Sequence, residues 1–133
     1  MVVSERLKPP IGFARACAMP LALSHRHLPG TCLVAVGGEV DLATSGRLAD
    51  YIDRVRRPGD QVVFDLTELS FLDCSGLRVL IASARRAAAD GAVVRLAGVR
   101  GAPARLLEVA RVGLLLPVFD TVEHALAAVA RAG

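Results

Sequence analysis

The stretch Gln61-Val62-Val63-Phe64-Asp65-Leu66 constrains this chain more than any other. It is short, almost continuously apolar and rich in β-branched residues. That is the pattern of a strand buried on both faces, as found in parallel sheets covered by helices. The flanking segments agree. Upstream, Leu48, Tyr51, Ile52 and Val55 fall on one helical face, while Arg47, Asp50, Asp53, Arg54 and Arg57 fall mostly on the other. Asp41 opens that helix, Asp41 or Thr44 caps its start, and Pro58-Gly59 stops it. Downstream, "TELSFLDC" reads as a loop leading into a second helix. Its buried stripe is Leu77, Leu80, Ile81, Ala84 and Ala88, with Arg78, Arg85 and Arg86 away from the centre and Asp90-Gly91 at the end.

The remaining segments extend the alternation. "LALSHRH" (21–27) alternates as a half-buried edge strand would, Pro29-Gly30 is a turn signal, and "TCLVAVGGEV" (31–40) follows as a more apolar strand, so the pair reads as an antiparallel hairpin. "AVVRLAG" (92–98) is a further strand. Pro103 suits the first turn of a third helix, whose buried face is Leu106, Leu107 and Ala110. "LLLPVF" (114–119) is a short strand or extended segment that Pro117 pushes toward the sheet edge. Asp120 with Glu123 three positions later resembles a capping box for a last helix anchored by Leu126 and Val129. Residues 1–19 contain Pro9 and Pro10 and show no sustained period, so they read as an N-terminal tail or loosely docked arm, leaving 20–133 as the domain. The order ββαβαβα(β)α implies an α/β domain with a mostly parallel sheet and right-handed crossovers.

Composition narrows the function classes. A chain of 133 residues suits one hydrophobic core, and 53% apolar against 22% charged residues excludes general disorder. The net charge of +3 comes from arginines scattered among acids and apolar residues. There is no basic stripe with stacking aromatics, so nucleic-acid binding is not expected. The three cysteines, Cys17, Cys32 and Cys74, are odd in number and form no CxxC, which argues against a disulfide framework or a zinc site. Reduced thiols fit a cytoplasmic protein. No apolar run approaches the roughly 18 residues of a membrane span, and Pro9, Pro10 and Arg15 interrupt the apolar region a signal peptide requires.

In α/β folds the loops after strand C-terminal ends carry function. Two such loops stand out: "GGEVD" (37–41) and "FLDCSG" (71–76). If their strands are adjacent and parallel, Asp41, Asp73 and Ser75 become neighbours. Ser75 or Asp73 can serve as a helix N-cap. Gly76 costs a helix about 1 kcal/mol relative to alanine, but it removes bulk beside Ser75 and leaves the hydroxyl accessible to a large partner such as a kinase active site. Catalysis is not expected. Asp73 and Leu77 stand where a G-x-S-x-G elbow needs glycines, and His25, His27 and His124 lie on other elements. Asp73 opposes any acidifying effect of the helix N-terminus on Cys74. Gly37-Gly38 is no phosphate loop, with Glu39 and Asp41 beside it, and Asp41 with Asp73 alone is too small a ligand set for a metal. No cofactor or metal is expected.

These segments together resemble a known family. "VGGEVDLATSGRL", followed by "VVFDLTELSFLDCSGLRVLIASARRAAADGAVVRLAGV", resembles the STAS domains, in particular the stand-alone bacterial anti-sigma factor antagonists. The resemblance is carried by Gly38, Glu39, Val40 and Asp41, then Asp65, Leu66, Phe71, Leu72, Asp73, Ser75, Gly76 and Leu77, and spans about residues 21–131. Cys74 stands where serine is common in the family. The resemblance implies a single STAS domain, with a mostly parallel sheet, an antiparallel first strand and helices mainly on one face. It also implies a phosphorylation site at Ser75, within a partner-binding surface of Asp41, Asp73, Cys74, Ser75 and Gly76. The implied partners are an anti-sigma factor with serine kinase activity, of the GHKL type, and a serine phosphatase. Such an antagonist binds the anti-sigma factor while dephosphorylated and is released by phosphorylation, so it regulates transcription by partner switching. The other role the family offers is a non-enzymatic interaction module: a stressosome-type scaffold or an accessory subunit of a lipid-importing ABC transporter.

Overall fold

The computed structural model describes residues 2–6 and 19–132. Its elements run β1 (Val2–Arg6), β2 (Ala22–Leu28), β3 (Thr31–Val40), α1 (Ser45–Val55), β4 (Gln61–Asp65), β5 (Leu69–Leu72), α2 (Cys74–Ala89), β6 (Val94–Ala97), α3 (Gly101–Ala110), β7 (Val118–Phe119) and α4 (Val122–Ala132). The sheet order is β1-β2-β3-β4-β6-β7, with β5 attached to β3 off that path. The β1–β2 and β2–β3 pairs are antiparallel, and the pairs of β3 with β4, β4 with β6, and β6 with β7 are parallel.

The strand at 61–66 behaves as its composition demands. Val62 and Phe64 belong to the main core, whereas Val63 faces a second cluster with Ala97 and Ala125. The main core takes Leu48, Tyr51 and Ile52 from α1, Leu77, Leu80, Ala84 and Ala87 from α2, and Leu107 from α3. The second cluster lies beneath α4, where Val122, Leu126 and Val129 pack. Three helices therefore cover one face and α4 the other, the division expected when a parallel sheet needs both faces covered.

Several local expectations are corrected. The segment 69–72 is a strand, not a loop: after β4 lets go of β3, β5 pairs in parallel with the C-terminal half of β3. The 21–27 segment is not an edge strand, because β1 pairs along β2. The rest of the N-terminal arm expected over 1–19, residues 1 and 7–18, lies outside the described residues. On α2, Ser83 and Ala87 are buried and Ala88 is exposed; on α3, Ala110 is exposed. Helix α1 begins at Ser45 and not at Asp41, and its N-cap, Thr44, makes no side-chain cap hydrogen bond. At α4, Thr121 Oγ1 accepts the His124 amide at 3.1 Å, so Thr121 fills the capping role assigned to Asp120.

Candidate functional site

The register of β3 with β5 builds the site. Val40 pairs with Leu72, so the residues that follow, Asp41 and Asp73, leave two adjacent parallel strands at the same edge. The Asp73 amide donates to the Val40 carbonyl at 3.2 Å, continuing the ladder one step beyond the strands. The Leu42 amide in turn donates to the Asp73 carboxylate. Asp41 is thus bracketed by two residues that bond Asp73, and the neighbourhood expected from the sequence is present.

Asp73 caps α2. Its Oδ1 accepts the amides of Ser75 at 2.9 Å and Gly76 at 3.1 Å, satisfying donors that the first helical turn leaves without partners. The same oxygen accepts the Ser75 hydroxyl at 2.5 Å. Burial acts to raise the Asp73 pKa, but the Ser75 hydroxyl and the Gly76, Ser75 and Leu42 amides outweigh it and hold the carboxyl below its ordinary value. Ser75 is therefore not the cap. Its hydroxyl is a half-buried donor lying on a carboxylate.

Asp41 does a different local job. Its Oδ1 accepts the amides of Ala43 at 2.9 Å and Thr44 at 3.1 Å, and the Thr44 hydroxyl at 3.1 Å, folding the turn that leads into α1. Gly76 corrects the expectation of an open glycine beside Ser75. It is buried, and a β-carbon there would stand 2.5 Å from Leu72 Cδ1 and 2.7 Å from Val40 Cγ1. The glycine lets α2 seat directly on the ends of β3 and β5. Cys74 is exposed beside it. Sequence reasoning missed the apolar rim: Leu42 and Phe71 are 83% and 42% exposed, each next to a residue of the carboxylate pair's strand ends. An exposed leucine in the turn after Asp41 breaks the polar expectation for a turn, and that was the available signal.

The STAS domain family model matches residues 22–125 of this chain. The anti-sigma F factor antagonist of Paenibacillus polymyxa is 28% identical over 110 residues, covering 81% of this chain and 94% of its own. Among solved structures, an anti-sigma factor antagonist from Mycobacterium paratuberculosis aligns with a TM-score of 0.72 at 24% identity, over 81% of this chain and 92% of that one. The Bacillus cell fate determinant SpoIIAA in its phosphorylated form aligns with a TM-score of 0.63 at 17% identity, over 80% of this chain and 98% of that one. At these identities the two structures speak to the fold. Among the described residues, no helix is long and apolar enough to cross a membrane.

Proposed function

This chain belongs to the STAS domain family, and from that membership we propose that it is an anti-sigma factor antagonist working by partner switching in the cytoplasm. In this reading the unmodified protein binds an anti-sigma factor that is itself a serine kinase of the GHKL type. The docking surface comprises Asp41, Asp73, Cys74, Ser75 and Gly76, with the exposed Leu42 and Phe71 at its rim. The kinase transfers the γ-phosphoryl group of ATP to Ser75 Oγ, the hydroxyl proton leaves, and ADP is released. A serine phosphatase restores the hydroxyl by hydrolysis. The relatives support the antagonist role, since the Paenibacillus polymyxa protein carries that name.

One observation carries the reading: the Ser75 hydroxyl donates to Asp73 Oδ1. A phosphoserine oxygen has no proton to donate, so esterification removes that bond and places nearly two negative charges beside a carboxylate. The α2 N-terminus offsets this by only about 0.3–1 kcal/mol. Unit charges about 5 Å apart at an effective dielectric near 20 repel by roughly 3 kcal/mol before screening. Repulsion prevails, so the cap loosens and the docking face turns strongly negative. Each 1.4 kcal/mol of this penalty felt in the complex lowers affinity about tenfold.

The test compares wild type, Ser75→Ala and Ser75→Asp for binding to the cognate kinase, alongside intact-mass analysis after incubation with ATP. The expected result is tight binding by wild type and Ser75→Ala, binding weakened about a hundredfold or more in Ser75→Asp, and one phosphoryl group added to wild type only. Equal binding by all three, with no mass change, would leave an interaction module without a switch.

A further inference from the structure

At the edge of the sheet opposite Ser75, three ligand-type side chains that play no part in the docking surface come together. His27 and Cys32 are direct cross-strand partners in the β2–β3 hairpin, so their side chains leave the same face. Asp60 is carried in beside them because the next residue, Gln61, pairs with Thr31. One donor atom from each, an imidazole nitrogen, the Cys32 sulfur and a carboxylate oxygen, all lie within 4.8 Å of one another. Cys32 is 0% and Asp60 9% exposed. Nδ1 of His27 is buried and has no hydrogen-bond partner among the described residues. Among the described residues, the Cys32 thiol has one long hydrogen bond, 3.9 Å, to the Val55 carbonyl. Buried polar atoms are normally satisfied, and here an unpartnered imidazole nitrogen belongs to a residue grouped with a buried thiol and a carboxylate.

We propose that His27, Cys32 and Asp60 form a binding site for one zinc ion, with the fourth coordination position open to water or an external ligand. The donor set is the argument for the metal: a thiolate and an imidazole suit zinc and exclude the oxygen-seeking Mg(II) and Ca(II). Zinc–ligand bonds of about 2.0–2.3 Å place tetrahedral donors on the order of 3.5 Å apart, so the cluster closes by roughly 1 Å on binding. Charge balances as well. Thiolate plus carboxylate neutralise the divalent ion, which suits a buried position. A thiol must lose its proton to bind the metal, so the ion displaces one proton to solvent as the Zn–S bond forms.

The surroundings are arranged to hold the ligands. The Arg57 amide donates to the Asp60 carboxylate at 3.0 Å and orients it. Arg56 donates to the Asp60 carbonyl at 2.9 and 3.1 Å and to Asp90 at 2.8 Å, so its charge is already engaged. The site would tie the turn before β4 to the β2–β3 hairpin. Along β3 it lies eight residues from Val40, about 26 Å from the docking edge. The sequence hid it because the ligands come from a cross-strand pair and a turn, with no CxxC spacing.

The full chain, stripped with chelator, is loaded with Zn(II) or Co(II) alone, passed through gel filtration and assayed for metal and absorbance. One equivalent per chain is expected, with a thiolate-to-cobalt charge-transfer band for Co(II). A Cys17→Ser/Cys74→Ser double variant, which keeps Cys32 alone, should retain both signals. Cys32→Ser and His27→Gln should each weaken binding by more than the roughly 10–100-fold that outer-sphere partners are worth. Metal-free wild type, cobalt bound without the thiolate band, or loss of the metal in the double variant each overturns the assignment. The spectrum of the double variant decides the matter even where Cys32→Ser or His27→Gln does not fold.

Discussion

A single oxygen of Asp73 serves two groups of one residue: Oδ1 accepts both the Ser75 amide at 2.9 Å and the Ser75 hydroxyl at 2.5 Å. The side chain that starts α2 is therefore also the one that holds the hydroxyl. Asp73→Ala removes the cap and should cost about 0.5–2 kcal/mol in urea denaturation. Asp73→Asn keeps an acceptor oxygen and should cost less. Asp73→Asn should also soften the effect of a negative charge at position 75. In a double-mutant cycle, Ser75→Asp should lose less partner affinity when combined with Asp73→Asn than when introduced into wild type, because one of the two repelling charges is gone.

The cap also predicts a pH dependence. The folded pKa of Asp73 is depressed, so the unfolded chain binds a proton before the folded one does. The stability this contributes is fully present above the unfolded value, about 3.9, and is lost as pH falls through the folded value. Wild type should thus lose stability below about pH 4 more steeply than Asp73→Asn, whose residue 73 does not titrate. Denaturation midpoints measured from pH 6 downward check this, and parallel curves would remove Asp73 as the cause.

Gly76→Ala sets two effects against each other. Alanine is the better helix former by about 1 kcal/mol. Its β-carbon, however, would stand 2.7 Å from Val40 Cγ1, on a stiff branched side chain, and 2.5 Å from Leu72 Cδ1. Forcing a methyl into a packed core typically costs about 1–3 kcal/mol, so the net change should be destabilising. Chemical denaturation decides the sign. A stabilised variant would show that α2 can lift off the strand ends without cost.

Elements with an unmistakable period were legible in the sequence. The 61–66 strand and the α1 face of Leu48, Tyr51 and Ile52 depend on how many apolar residues recur and how often, and both are buried as expected. Segments whose fate depends on a distant partner were not. "LSFL" is four residues long with no clear alternation, and only its pairing with β3 makes it a strand. The exposure of Ala88 and Ala110 was equally hidden, since alanine is neutral between core and surface at a helix end. At the site, chain order gave the meeting of Asp41, Asp73 and Ser75, because parallel neighbours deliver their following loops to one edge. Which carboxylate caps the helix, and which way Gly76 faces, depended on packing that local spacing does not encode.

Gly38 and Glu39 show packing of the same hidden kind, and it can be tested. Gly38 has φ +82°, and a β-carbon there would lie 2.1 Å from the Pro20 carbonyl oxygen and 2.8 Å from its carbon. That close approach lets Met19 and Pro20 lie across the bulge between Gly38 and Glu39. The Glu39 amide donates to the Met19 carbonyl at 3.2 Å, and the Met19 amide donates to Glu39 Oε2 at 3.1 Å. Gly38→Ala would suffer both left-handed backbone strain, about 1–2 kcal/mol, and a collision with backbone that has no flexible end to yield. Displacing the crossing residues also gives up two hydrogen bonds worth about 0.5–1.5 kcal/mol each. The variant should lose roughly 2–5 kcal/mol in all, and the amides at 19 and 39 should exchange with solvent faster. Glu39→Gln, which keeps an acceptor for Met19, should cost under about 1 kcal/mol. If Gly38→Ala matches wild type in both stability and exchange, the crossing of Pro20 over Gly38 is not what fixes a glycine at that position.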